Sequence, residues 1–126
     1  MNALAVGLGG AIGALLRYAV SLWMVRRDPE RWPWATLLVN VIGSGLLGGI
    51  AFHSIEQGAL SQPMRLFLAV GLCGGFTTMS TFAFETLEYA RMGLTGRAAA
   101  YALVSVTLSV AAVFVGGAAA QWVAGR

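Results

Sequence analysis

Residues 71–85 read GLCGGFTTMSTFAFE. The flanks are apolar, yet the middle holds the Gly74-Gly75 pair and the hydroxyls of Thr77, Thr78, Ser80 and Thr81. The stretch overlaps an uncharged run, residues 66–84, and a membrane-spanning helix needs about 20 mainly apolar residues. Glycine costs about 1 kcal/mol of helix propensity relative to alanine, and β-branched and hydroxyl residues add to that. A third membrane helix broken at mid-depth reconciles these features. Freed backbone groups at that depth are tolerated only where protein or water satisfies them, and freed carbonyls make a cation site. The plainer alternative is an unbroken helix whose hydroxyls bond back to their own backbone.

The rest of the chain has the same character. It has 126 residues, of which 58% are hydrophobic and 10% charged, against about 25% charged in a soluble domain. Residues 1–16, 32–55 and 98–125 also carry no charge. Four transmembrane helices are predicted, at roughly 2–25, 33–55, 62–90 and 96–123. The fold class is therefore an all-α membrane protein, one four-helix transmembrane domain over residues 1–126 with the lipid bilayer as its solvent. The longest candidate loop lies around residues 26–33, and the N-terminus lacks the basic region of a cleaved signal. Cys73 is the single cysteine, which excludes an internal disulfide and a cysteine-based metal site. The net charge of +3 comes from eight basic residues, all arginine. It suits lipid headgroups better than nucleic acid, and no nucleic-acid partner is expected.

Four helices of this length give little wall for a pore, so an oligomer is expected. The pairs Gly9/Gly13, Gly45/Gly49 and Gly71/Gly75 fit close helix approach, although glycine is common in membrane helices generally. With both termini on one side, that side carries Arg65 and Arg126, and the other carries Arg26, Arg27, Arg31, Arg91 and Arg97. The positive-inside rule puts the second set in the cytoplasm.

Polar residues inside the spans are the candidate functional groups. Asn40 sits on a helix otherwise apolar from Leu37 to Ile50, where an unpartnered amide is costly. It reads as interhelical glue or a pore-lining donor, and the segment alone favours glue. Tyr101, Ser105 and Ser109 are spaced i, i+4, i+8 and form one helix stripe, either a wet track or small residues that pack well. The ring edges of Phe82 and Phe84 are electropositive and can meet a small anion without a fixed charge. Glu85 is expected to pair with a hydroxyl or an arginine, and Glu88 to reach the interface. Neither lies mid-span, where a proton-coupled carrier needs a carboxylate. Arg17 either snorkels or caps a vestibule, and His53 reads as a surface residue. No phosphate loop, nucleophile–base pair or metal-ligand cluster is present, so no catalytic residue and no enzyme activity are expected.

Taken together, GGAIGALLRY (9–18), WATLLVNVIGSGLLGG (34–49) and GLCGGFTTMSTFAFE (71–85) resemble the Fluc (CrcB) fluoride channels. The resemblance runs through the first three spans in order, and the fourth adds its hydroxyl stripe. It implies a passive fluoride exporter of the bacterial inner membrane, built as an antiparallel, dual-topology homodimer with two pores along the interface. It also implies a central sodium ion (Na+) held by backbone carbonyls at the third-span breaks, here those of Gly74 and Thr77. Asn40 resembles the family's pore asparagine, and Phe82 the second of two aromatic residues whose edges contact fluoride. Tyr101, Ser105 and Ser109 resemble the polar track, with Ser80, Thr81 and Glu85 beside it. Arg17 matches the family's first-span arginine near the vestibule.

Two features depart from the family pattern. Met79 stands where the family has phenylalanine, and methionine has no quadrupolar edge. Phe84 lies about 100° around the helix from an adjacent position, which makes it a poor substitute. The arginine bias is also stronger than dual topology calls for. Two rival readings remain. Small multidrug transporters are also four-helix, dual-topology dimers, but they depend on a first-span glutamate, and residues 1–16 contain no acid. The other rival is a non-conducting membrane assembly subunit held together by its glycine faces.

Overall fold

The computed structural model describes residues 1–27, 32–53, 58 and 60–125. Arg31 and Arg126, two of the arginines in the charge count, lie outside the described residues, as do residues 28–31 of the 26–33 loop. The first span is α1 (Asn2–Arg27) and the second is α2 (Trp34–Ala51). The third is built from α3 (Gln62–Arg65), a π-helical segment (Leu66–Cys73), α4 (Gly74–Phe76) and α5 (Met79–Arg91), and the fourth is α6 (Thr95–Ala124). Among the described residues four helices are long and apolar enough to cross a membrane, within a residue or two of the expected bounds except at the end of the second. There α2 closes at Ala51, and residues 54–55 of the expected span lie outside the described residues.

The ends of the third span follow from local chemistry. Pro63 sits in the first turn of α3, where its missing N–H costs nothing. At the other end Gly93 adopts φ +75°, a left-handed conformation. Its N–H donates to Ala90 O at 3.1 Å and that of Leu94 to Tyr89 O at 2.9 Å, the paired bonds of a Schellman C-cap. The chain then turns directly into α6.

α1 lies along the π-helical segment and α4, α2 lies along α6, and α5 packs against α6. The first two seams are built on glycine. A Cβ at Gly9 or Gly13 would collide with the backbone of Phe67 or Leu72, and one at Gly71 or Gly75 with the backbone of Val6 or Gly10. At the α2–α6 seam the residues in closest approach are Gly48, against Val113, and Gly116, against Gly45. Both residues of the expected Gly45/Gly49 pair also face α6, but at ordinary contact: a Cβ at Gly45 would meet Ala112 O, and one at Gly49 would meet Gly116 O, each at 3.5 Å. All these contacts are within one chain, so the glycine spacings explain the subunit's own packing and carry no argument for an oligomer.

Only 11–28% of each span's most apolar window is buried inside the chain. The remaining apolar surface requires hydrocarbon or another subunit to cover it.

Candidate functional site

The site begins where the third span leaves helical geometry. Thr77 has φ −81°, ψ 159°, and Thr78 has φ −150°, ψ 111°, both extended. The Gly74-Gly75 pair expected to disrupt the helix is itself helical, and the departure falls two residues later. Gly75 serves the seam with α1 instead. Two β-branched threonines, whose side chains crowd the preceding helical turn, are the residues that adopt extended backbone.

The displaced backbone groups find side-chain partners. In an uninterrupted helix the Thr78 N–H would donate to Gly74 O. Here it donates to Asn40 Oδ1 at 2.7 Å, and Asn40 Nδ2 donates back to Thr78 O at 3.1 Å. The Thr81 N–H, which would donate to Thr77 O, instead donates to the Thr78 hydroxyl at 3.2 Å, making Thr78 the N-cap of α5. That hydroxyl donates in turn to Thr81 Oγ1 at 2.9 Å. Gly75 O accepts from Arg17 Nε at 3.1 Å. Thr77 bonds back to Cys73 O through both its N–H and its hydroxyl. The carbonyls of Gly74, Gly75, Phe76 and Thr77 have thus all lost their helical donors, and among them Gly75 O has gained Arg17. Gly74 is exposed, with open space where a Cβ would project.

Beside the break lies a cleft of about 350 Å3 between the second, third and fourth spans. Asn40, Met79, Phe82, Ser105 and Ser109 line it, together with Gly74 and Thr77, and no charged side chain does. Five of the eight anion-contact candidates therefore meet at one feature. Phe82 is buried, its ring 5.2 Å from that of Tyr101. The Ser105 hydroxyl is buried, close to the Tyr101 side chain, and makes no hydrogen bond of good geometry among the described residues. It belongs to a wall of the cleft. Met79 is 71% exposed at the cleft's edge, while Phe84 is 60% exposed and off the cleft.

The remaining candidates are placed differently. Tyr101 is fully buried and does not line the cleft. Its hydroxyl donates to Glu85 Oε2 at 2.7 Å, and Thr36 Oγ1 donates to Glu85 Oε1 at 2.9 Å. Glu85 thus has two hydroxyl partners, one from each of the neighbouring spans. Glu88 lies 3.8 Å from Arg91 in a solvent-side pair. Ser80 is exposed and 3.4 Å from the Thr78 hydroxyl. Thr81 is half-buried and tied to Thr78.

The sequence marks Thr78 only as one of four clustered hydroxyls, with no role of its own, and does not single out Thr36. A threonine three residues before another hydroxyl at the start of a helical run is an N-cap signal, and it identifies Thr78. Nothing local marks Thr36, whose role depends on a carboxylate 49 residues away.

The donor set also defines which ion can be held. Among the described residues no group of three His, Cys, Asp or Glu side chains could hold a metal ion. Backbone carbonyls are the oxygen donors at the break, a chemistry that suits a hard monovalent cation.

The sequence matches the family model "CrcB-like protein, Camphor Resistance (CrcB)" over residues 4–117. It is 48% identical over 126 residues to the Fluoride-specific ion channel FluC of Hyphomonas neptunium, covering 98% of this chain and 94% of that one. It is 45% identical over 113 residues to the protein of the same name from Rhizobium meliloti, covering 90% of each. It is 47% identical over 113 residues to that of Thermus thermophilus, covering 90% of this chain and 88% of the relative. With four spans of this length and composition, the chain is a multi-pass membrane protein, and it belongs to the CrcB-like family.

Proposed function

We propose that this protein is a fluoride channel that lets the anion leave the cytoplasm passively, and not an enzyme. The observation that carries the reading is the cleft beside the break, walled by neutral donors and free of charged side chains. Fluoride is small and strongly hydrated, so a path must replace its water. The Ser105 and Ser109 hydroxyls, the remaining amide hydrogen of Asn40 and the edge of Phe82 are donors of the required kind. Neutral donors bind weakly enough to release the ion again, which conduction demands. The absence of a carboxylate from the cleft removes the repulsion an anion would meet. Relatives named as fluoride-specific channels, 45–48% identical over most of the chain, support the same conclusion.

The finer architecture is part of the proposal. The functional unit is an antiparallel homodimer in the inner membrane, with two pores along its interface and the third span of each subunit broken at mid-membrane. The extended dihedrals at Thr77 and Thr78 and the exposed, open side of Gly74 support it. Gly74 and Thr77 carbonyls from each subunit would hold a central sodium ion, which would supply a fixed positive charge at the junction. Met79, at the exposed edge of the cleft, is completed as a wall by the second copy. Tyr101 and Glu85 act behind the cleft, fixing α5 against α6.

The test is conduction in a form that distinguishes a channel from an assembly subunit. In a bacterium deprived of its own fluoride exporter, the wild-type protein restores growth in fluoride. Phe82→Ile, expressed and assembled as the wild type, does not. Growth restored equally by both would remove Phe82 from the path, and no rescue by either would overturn the channel reading.

A further inference from the structure

Gly9, Gly13 and Arg17 are spaced i, i+4, i+8 on α1, one stripe of a helix. The two glycines bring α1 into backbone contact with the third span: a Cβ at Gly13 would meet Phe76 N at 2.8 Å and Gly75 C at 3.1 Å. One turn further along, that approach delivers the half-buried Arg17 to the break, where its Nε donates to Gly75 O at 3.1 Å. In an uninterrupted helix Gly75 O would accept the Met79 N–H. Met79 is the first residue of α5, beyond the extended pair. A carbonyl left unpaired at this depth costs free energy, which favours closing the helix. An outside donor removes that tendency.

We propose that Arg17 is a positioning residue for the conduction path: its Nε–H bond to Gly75 O holds residues 75–78 out of helical geometry. The proposal rests on the channel reading above. Closing the helix would turn Met79 and Phe82 by about 100° for each residue taken up and carry them off the cleft. Arg17 itself does not line the cleft, so it acts through the backbone of the third span. The sequence alone offered only snorkelling or a vestibule cap. The structure gives the guanidinium a specific acceptor 58 residues away.

Glutamine separates the hydrogen bond from the charge, because its side-chain nitrogen is as many bonds from Cα as arginine's Nε. Arg17→Met, Arg17→Gln and Arg17→Lys are reconstituted in liposomes, and fluoride efflux is read beside hydrogen exchange over residues 74–82. Arg17→Met is expected to lose at least tenfold in efflux and to slow exchange at the Met79 amide at least tenfold. Arg17→Gln is expected to stay within about threefold of wild type in both. Wild-type behaviour of Arg17→Met overturns the proposal. So does loss of efflux in Arg17→Gln with retention in Arg17→Lys, which would assign the effect to charge. If Arg17→Met does not fold, the remaining pair decides: Gln above Lys supports the bond, and Lys above Gln overturns it. If the wild type conducts no fluoride, the channel reading fails, and the exchange comparison still decides the role of Arg17.

Discussion

The two halves of the third span are held in opposite ways. Upstream of Thr77, the π-helical segment and α4 meet α1 through backbone-to-backbone contact at Gly9, Gly13, Gly71 and Gly75. Downstream, α5 is held by side chains: Glu85 binds Thr36 and Tyr101, and Phe82 packs on Tyr101. Lipid tails are as apolar as leucine, so helices in a membrane associate through close packing and interhelical hydrogen bonds. This span uses one device on each side of the extended pair Thr77 and Thr78. The glycine seam cannot move without losing contact along its whole length. The polar side ties α5 to α2 and α6 at a few points and leaves room for a cleft. Asn40 joins the two regimes by taking both backbone groups of Thr78.

That contrast can be broken from either side. The largest effect is expected on the glycine side. Gly13→Leu drives a side chain into the backbone of Leu72 and Phe76, where no rotamer change can relieve it. Overpacking a core ordinarily costs about 1–3 kcal/mol, and a backbone obstacle places this variant at the upper end or beyond. It should fail to give a monodisperse protein in detergent. Next is the junction. Asn40→Leu leaves the Thr78 N–H without a partner, at about 1–3 kcal/mol for a buried donor, and its carbonyl with the first intrahelical bond of α5 alone. A lowered thermal midpoint together with lost fluoride efflux is expected. Efflux retained at a lowered midpoint would make Asn40 a strut only.

On the polar side the effects are smaller. Tyr101→Phe removes one hydrogen bond to a carboxylate, worth about 1.5–3 kcal/mol, while Thr36 still donates to Glu85. A reduced midpoint with the protein still assembled is expected in thermal unfolding. The smallest change is Ser80→Ala. Ser80 is exposed and only 3.4 Å from its nearest hydroxyl, so its stability should stay within about 0.5 kcal/mol of wild type. A larger loss would mean that a second subunit covers it.

The same contrast explains what was legible in the sequence. Span number and position follow from uncharged runs, because bilayer thickness sets helix length. The Gly9/Gly13 and Gly71/Gly75 spacings found their seam for the same reason that lone glycines mislead. Four-residue spacing marks one face of a helix, but the choice between Gly48 and Gly49 depends on the rotation of α2 against α6, which no local pattern encodes. A break was expected around Gly74-Gly75, but the extended residues are Thr77 and Thr78. Propensity ranks glycine as the weaker helix former, whereas the contact of Gly75 with α1 favours helical geometry at that point.

From its own segment Asn40 reads as glue, and its pair of hydrogen bonds to Thr78 agrees with that reading. The resemblance assigned it to a pore, and it also lines the cleft. The stripe of Tyr101, Ser105 and Ser109 was legible as a face of α6. Its division was not: Tyr101 turns to Glu85, whereas Ser105 and Ser109 face the cleft. That division is decided by a carboxylate on another span.

The most direct test of the account is efflux of fluoride and of chloride from the same liposomes, each followed with its own electrode after an ionophore releases the membrane potential. A neutral-walled path that replaces fluoride's water predicts rapid, ionophore-dependent fluoride release with no chloride release. Folded, reconstituted protein that releases neither anion, or both alike, would contradict it.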